Sequence, residues 1–162
     1  MNYALIQKTL GMMTLVFATI LFIPFITSIS YNDGNILSFI YSFIIIFAIG
    51  SLLFFPNMKN SFNSNMKIKE GFLIVVLFWF LLSFFGSFPF MFDNNLSMSF
   101  TDAFFESVSG WTTTGATIIT NLDDLSPSIL IYRQLLQWLG GMGIVVLALA
   151  VLPMLGVGGM QL

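Results

Sequence analysis

The string Thr112-Thr113-Thr114-Gly115 is the part of this sequence best suited to chemistry, and that chemistry is coordination rather than bond-making. Three consecutive threonines before a glycine disfavour continuing a helix. They read as extended backbone, with Gly115 free to take a conformation barred to other residues. Extended backbone at membrane depth is tolerated only where protein or a water-filled cavity satisfies it. One use of such backbone is a ring of carbonyls that replaces the hydration shell of an ion. The competing reading of the same string is a Thr-rich turn. Bond-making has fewer candidates still. The chain has no Cys and no His, which excludes disulfides, thiol nucleophiles, imidazole bases and thiolate- or His-bound metals. Seven carboxylates remain, without an evident reacting pocket, so an enzyme is not expected.

A loop of carbonyls needs elements to hold it. Phe100, Ala103, Phe104, Phe105, Val108 and Trp111 lie within twelve residues, too few to span a bilayer and too apolar for a plain aqueous loop. A short re-entrant helix over Thr101–Ser109 meets both constraints. Ser99 or Thr101 is its N-cap, Asp102 and Glu106 sit favourably in its early turns, and Gly110 ends it. Its C-terminus carries about half a negative charge toward the loop, which favours a cation. Glu106 has two readings, a solvated helix residue or the partner of Arg133, bracing the loop against the helix that follows; Arg133 could equally reach the headgroups. Asp93, Asp123 and Asp124 either draw cations to an entrance or are solvated loop charges. Gly140, Gly141 and Gly143 serve close helix packing, with gating as the sharper alternative.

Around this segment the composition is that of a membrane protein. Of 162 residues, 57% are hydrophobic and 7% charged, too few charges to cover a soluble surface of this size. Four apolar stretches are long enough to span: Leu10–Ile29, Ile36–Phe55, Gly71–Phe92 and Ile131–Leu155. The first exceeds the apolar core of a signal peptide and is retained as a span. The fold class expected is an all-α membrane protein with four transmembrane helices, plus one re-entrant pore helix and filter loop between spans three and four. Lys8, Lys59, Lys67 and Lys69 fall on one side of such a topology, and Asp33, Asp93, Asp102, Glu106, Asp123, Asp124 and Arg133 on the other. Positive charge marks the cytoplasmic side, so both termini are expected there. A net charge of −2 with five basic residues offers no footprint for nucleic acid.

The segment from Glu106 through Thr117, ESVSGWTTTGAT, resembles the first pore loop of the Trk/Ktr/HKT potassium transporters, and within them the TrkH-type membrane subunits of bacterial Trk systems. Arg133–Gly143 resembles the start of the helix after that loop, and Leu152–Leu162 the stretch that ends it. The resemblance implies potassium uptake across the bacterial cytoplasmic (inner) membrane. It makes Thr112, Thr113, Thr114 and Gly115 the selectivity filter, with potassium contacted by the carbonyls of Thr113 and Thr114, and Glu106 and Arg133 as loop support. It divides the chain into residues 1–70, two N-terminal spans with a cytoplasmic loop, and residues 71–162, the first of four helix–pore loop–helix repeats. The chain is then expected to be an N-terminal portion carrying one of four filter loops. No bound cofactor is implied, potassium being the substrate. The implied partners are membrane lipid, a cytosolic TrkA-type nucleotide-binding regulatory subunit, and a second copy of the full-length subunit. The alternative is a structural or assembly membrane protein without transport.

Overall fold

The computed structural model describes residues 3–57, 68–93 and 95–151. Helices account for the regular structure, and no strand occurs among the described residues. Three helical stretches are long and apolar enough to cross a membrane: Tyr3–Tyr31, Ile36–Asn57 and Lys69–Phe92. This is the arrangement that lipid imposes, because a helix satisfies its backbone polar groups internally. Apolar side chains accordingly point outward as well as inward. Leu52 is 72% and Val76 64% exposed, while Phe39, Phe90 and Ile129 are fully buried.

The first stretch is not one straight helix. It divides into α1 (Tyr3–Ile20) and α2 (Phe22–Tyr31), and it begins seven residues before the expected Leu10. Pro24 cannot donate to the carbonyl of Ile20, and its ring crowds that carbonyl. Leu21 closes a tighter turn instead, its N–H on the Ala18 carbonyl at 3.2 Å. α3 (Ile36–Phe54) follows and ends in a short 3-10 turn over Phe55–Asn57. α1 and α3 pack closely because Gly11 has no side chain: a Cβ there would lie 2.7 Å from the Phe54 nitrogen.

The third stretch also breaks at a proline. α4 (Ile68–Gly86) stops one turn before Pro89, the Ser87 N–H bonds the Phe84 carbonyl at 3.2 Å, and α5 (Phe88–Phe92) follows. α6 (Phe100–Trp111) is the short apolar helix anticipated between the spans, three residues longer than Thr101–Ser109. α7 (Pro127–Val151) begins four residues before the expected Ile131 and runs through Gly140, Gly141 and Gly143. The expected end of that helix at Leu155, the glycines 156, 158 and 159, and the loop lysines Lys59 and Lys67 lie outside the described residues.

The core joins all these elements near α6. Phe17 from α1, Phe39 from α3, Phe85 from α4, Trp111 from α6 and Tyr132 from α7 form one buried cluster. The Trp111 ring meets Phe17 edge-on at 5.5 Å and Trp79 at 6.4 Å. The Tyr132 hydroxyl donates to the Gly86 carbonyl at 2.7 Å, tying α7 to the point where α4 breaks.

Candidate functional site

α6 is capped at both ends, and its two caps differ in kind. At the start, Ser99 has an extended conformation, and its hydroxyl oxygen accepts from the Asp102 N–H at 3.2 Å. At the end, the chain forms a Schellman motif. The Thr113 N–H donates to the Gly110 carbonyl and the Thr114 N–H to the Ser109 carbonyl, both at 3.0 Å. That motif requires a left-handed residue one step past the cap. Thr113 fills the position at φ 57°, where a glycine is usual and a β-branched residue is rare. Gly115 follows at φ 74°, with nothing within 4 Å of where a Cβ would stand.

The caps decide which carbonyls are left. The Val108 carbonyl takes the Thr112 N–H and hydroxyl, and the Thr112 carbonyl takes the Thr113 hydroxyl at 2.7 Å. Among the described residues the carbonyls of Thr113, Thr114 and Gly115 accept no hydrogen bond. Residues 112 to 116 are all exposed. Their hydroxyls are committed locally, Thr112 to Thr114 at 2.8 Å. The loop therefore presents unpaired backbone oxygens, beside the negative end of a helix dipole.

Three contacts fix the loop from behind. Glu106, buried at 2% exposure, accepts from the Thr117 hydroxyl and from the Ile118 N–H at 2.8 Å through one oxygen. Its other oxygen takes the Arg133 guanidinium at 3.2 Å. This pair ties α6, the segment leaving the loop, and α7 together at one point. The Ser109 hydroxyl donates to the Ala116 carbonyl at 2.6 Å. Gly140 makes room for the end of α6: a Cβ there would fall on the Trp111 carbonyl group, 2.7 Å from its carbon.

Gly110 does not end the helix as its type suggested. It lies inside α6, where a Cβ would come within 2.9 Å of the Leu136 Cβ, so it serves helix contact rather than termination. Extended backbone likewise does not begin at Thr112. Thr112 and Thr113 belong to the helix cap, and the irregular run starts at Thr114. Gly140 has the close-packing role its type suggested, whereas the support residues Thr117 and Ser109 acquire their roles from contacts that nothing in the local sequence signals.

On the side where α2 and α3 join, a second set of contacts holds the start of α7. Asp33 accepts from the Ser128 N–H at 3.0 Å, so it caps α7 from 95 residues away. It also takes the Ser28 hydroxyl at 2.5 Å and the Asn35 N–H at 3.2 Å. Burial pushes its carboxyl up, but the hydrogen bonds from Ser128, Ser28 and Asn35 outweigh it and hold the group below the ordinary aspartate value. Asp93, just past α5, is 2% exposed rather than a solvated loop charge. Burial pushes it above the ordinary value, against the N–H groups of Leu96 and Asn95; the Asp33 charge adds to the rise and the nearby Asn35 amide opposes it.

The family described as TrkH, cation transport protein, matches residues 35–162. The chain belongs to the TrkH family. The Trk system potassium uptake protein TrkH of Escherichia coli (strain K12) is 49% identical over 162 residues, 100% of this chain and 33% of that protein. The Trk system potassium uptake protein TrkG of the same strain is 40% identical over 139 residues, covering 86% of this chain and 28% of that protein. The crystal structure of the potassium transporter TrkH from Vibrio parahaemolyticus superposes with a TM-score of 0.91 at 45% identity, covering 99% of this chain and 34% of that one. The chain thus spans about a third of the length of the TrkH-family relatives it matches. The family is one of cation transport, not of enzymes. Among the described residues no group of three or more His, Cys, Asp or Glu could hold a metal ion.

Proposed function

We propose that this chain is the potassium-filter-bearing N-terminal part of a TrkH-type uptake transporter. Residues 1–70 form two spans and a cytoplasmic loop; residues 71–162 form one helix–pore loop–helix repeat. α6 enters the membrane without crossing it: twelve residues at 1.5 Å each reach about 18 Å, short of a bilayer core of about 30 Å. α7 is the fourth span. Both termini are cytoplasmic, and the host membrane is the bacterial inner membrane. The observation that carries this reading is the run of carbonyls at Thr113, Thr114 and Gly115. They accept no hydrogen bond from the described residues and stand at the C-terminal end of α6. Oxygens in that state suit a dehydrated monovalent cation, and the helix end disfavours anions.

One loop supplies one side of a ring. Three further loops complete it, Glu106 and Arg133 keep this one in register, and Thr112 holds it by its hydroxyl. Potassium moves down its electrochemical gradient through the ring. A cytosolic TrkA-type nucleotide-binding subunit regulates the pathway, and the full-length subunit pairs with a second copy.

The test is potassium-limited growth of a transport-deficient bacterial strain carrying the complete reading frame. Rescue by the wild type is expected. Gly115→Ser in the same frame is expected to insert normally while losing rescue or admitting sodium, because a side chain is strained at φ 74°. Absence of rescue by the wild type, or full potassium selectivity in Gly115→Ser, refutes the assignment.

A further inference from the structure

Trp111 joins the loop to the rest of the fold. It is the last residue of α6, it directly precedes Thr112, and it is buried. The Schellman bonds lock Thr113 and Thr114 to Gly110 and Ser109, so the free carbonyls move as one piece with this last turn. Whatever sets the position of Trp111 therefore sets theirs. Its carbonyl group lies against Gly140 of α7. Its indole edge lies against Gly86 of α4, where a Cβ would stand 3.0 Å from Nε1. No hydrogen bond fixes the ring, because Nε1 is buried without a partner among the described residues. Packing fixes it instead, through the edges of two rings: Trp79 of α4 at 6.4 Å and Phe17 of α1 at 5.5 Å.

The two rings differ in origin. Trp79 lies on α4, in the same helix–loop–helix unit as the loop, whereas Phe17 comes from the first span, outside that unit. On one flank the indole borders a largely apolar cavity of about 290 Å³, shared with Val16, Phe17, Trp79, Leu139 and Gly143. The indole thus has space to tip into, and the Phe17 ring stands at the edge of that space. Phe17 is itself firmly seated, 2% exposed and one turn before the tight turn at Leu21. We propose that Phe17 is a positioning residue for ion selection: acting through Trp111, the first span fixes the depth at which the carbonyls of Thr113, Thr114 and Gly115 stand. The inference rests on the filter reading of that loop. A ring of carbonyls selects among cations by how its oxygens are held around the ion, so displacement of Trp111 shows as lost preference between cations. Residues 1–70 thereby take part in selection, although their sequence reads as plain apolar spans.

Phe17→Leu keeps an apolar side chain and removes the ring edge. In the complete protein it is expected to lower the preference for potassium over sodium, read as competition with rubidium uptake, by about two- to thirtyfold, the range for coupling through packed side chains. Leu10→Ala is the structural control. It empties a buried position about two turns earlier on the same helix, in the separate cluster with Ile6 and Ile74. It should lower thermal stability and leave the preference as in the wild type. Trp111→Phe should lower the preference too, and adding Phe17→Leu to it should cost little more. An unchanged preference in Phe17→Leu overturns the proposal, as does an equal loss in Leu10→Ala or full additivity with Trp111→Phe. If Phe17→Leu does not fold, Phe17→Met, closer in volume and adaptable in shape, carries the same expectation. A wild type that takes up no potassium refutes the filter reading by itself. Fluorine NMR of the fluorotryptophan-labelled protein then decides the packing link, with the Trp111 resonance assigned by its loss in Trp111→Phe. Displacement of that resonance by Phe17→Leu and not by Leu10→Ala supports the link, and a resonance that stays in place overturns it.

Discussion

Gly140→Ala and Gly141→Ala differ by one position on α7 and are expected to have opposite effects. A Cβ at residue 140 falls on the Trp111 carbonyl group, 2.7 Å from its carbon and 3.0 Å from its Cα. Restoring that carbon to the near edge of ordinary contact, about 3.5 Å, requires α6 and α7 to part by roughly 0.8 Å at least, and the carbonyl oxygen, which lies nearer still, requires more. The obstacle is backbone, which cannot rotate away as a side chain could. A Cβ at residue 141 meets only the Thr113 Cγ2, at 3.7 Å, an ordinary contact. Both substitutions gain about 1 kcal/mol of helix propensity. Overpacking costs position 140 about 1–3 kcal/mol, and position 141 nothing comparable. The two variants should therefore differ by about 1–3 kcal/mol in stability, with Gly141→Ala at or above the wild type. Trp111 is the last residue of α6, and Thr113 is two residues beyond it. Displacement at 140 is thus delivered to the free carbonyls. In the complete protein, thermal unfolding in detergent and potassium-selective uptake should both fall for Gly140→Ala and be preserved for Gly141→Ala. Equal behaviour of the two would refute close approach as the reason for glycine at 140. Normal stability with altered opening would favour gating instead.

Two further outcomes follow from the charged contacts. Glu106→Gln leaves the Arg133 guanidinium buried without a counter-charge, which costs about 3–5 kcal/mol, and should sharply reduce folded protein in the membrane; Glu106→Gln combined with Arg133→Met should recover part of it, and a double variant no better than the single one would count against the pair as the bracing contact. Asp33→Ala removes the cap on Ser128 and should lower stability by about 0.5–2 kcal/mol, while Asp33→Asn, an equally good cap, should lose less. Because the folded Asp33 carboxyl is held below its ordinary value of 3.8, its contribution is fully present above that value and is lost as pH falls through the lower folded one. Melting temperatures of wild type and Asp33→Asn across that acid range should converge, and parallel curves would show that the carboxylate charge adds nothing.

The parts of this fold that lipid dictates were legible, and the parts that other segments dictate were not. A run such as Ile36–Phe54 can be little other than a helix in a bilayer, so its bounds could be read almost to the residue. The breaks at Leu21 and Ser87 also have a local cause in Pro24 and Pro89, visible in the sequence, although hydropathy alone runs continuously through both. Gly110 shows where local evidence fails. Glycine suits both a helix end and a close helix contact, and Leu136, 26 residues on, decides between them. Thr113 fails in the opposite direction, since its side chain argues against φ 57° and the Schellman bonds of the loop impose it. Asp33 and Ser128 are 95 residues apart and carry no shared periodicity.

The pattern has a physical basis that bears on function. Carbonyl oxygens are the same in every residue, so a backbone site has no signature of its own beyond the residues that bend the chain. What makes Thr113, Thr114 and Gly115 different from any other exposed carbonyls is that their neighbours' acceptors are already filled: Val108 and Thr112 by threonine hydroxyls, Ser109 and Gly110 by the cap. The threonines thus act twice, as hydroxyl donors that occupy nearby oxygens and as the carriers of the oxygens left open. Replacing one by valine preserves shape and removes the donor, which would free a competing acceptor rather than delete a ligand. On the proposed filter reading, the specificity of such a loop lies in which oxygens are withheld from an ion as much as in which are offered.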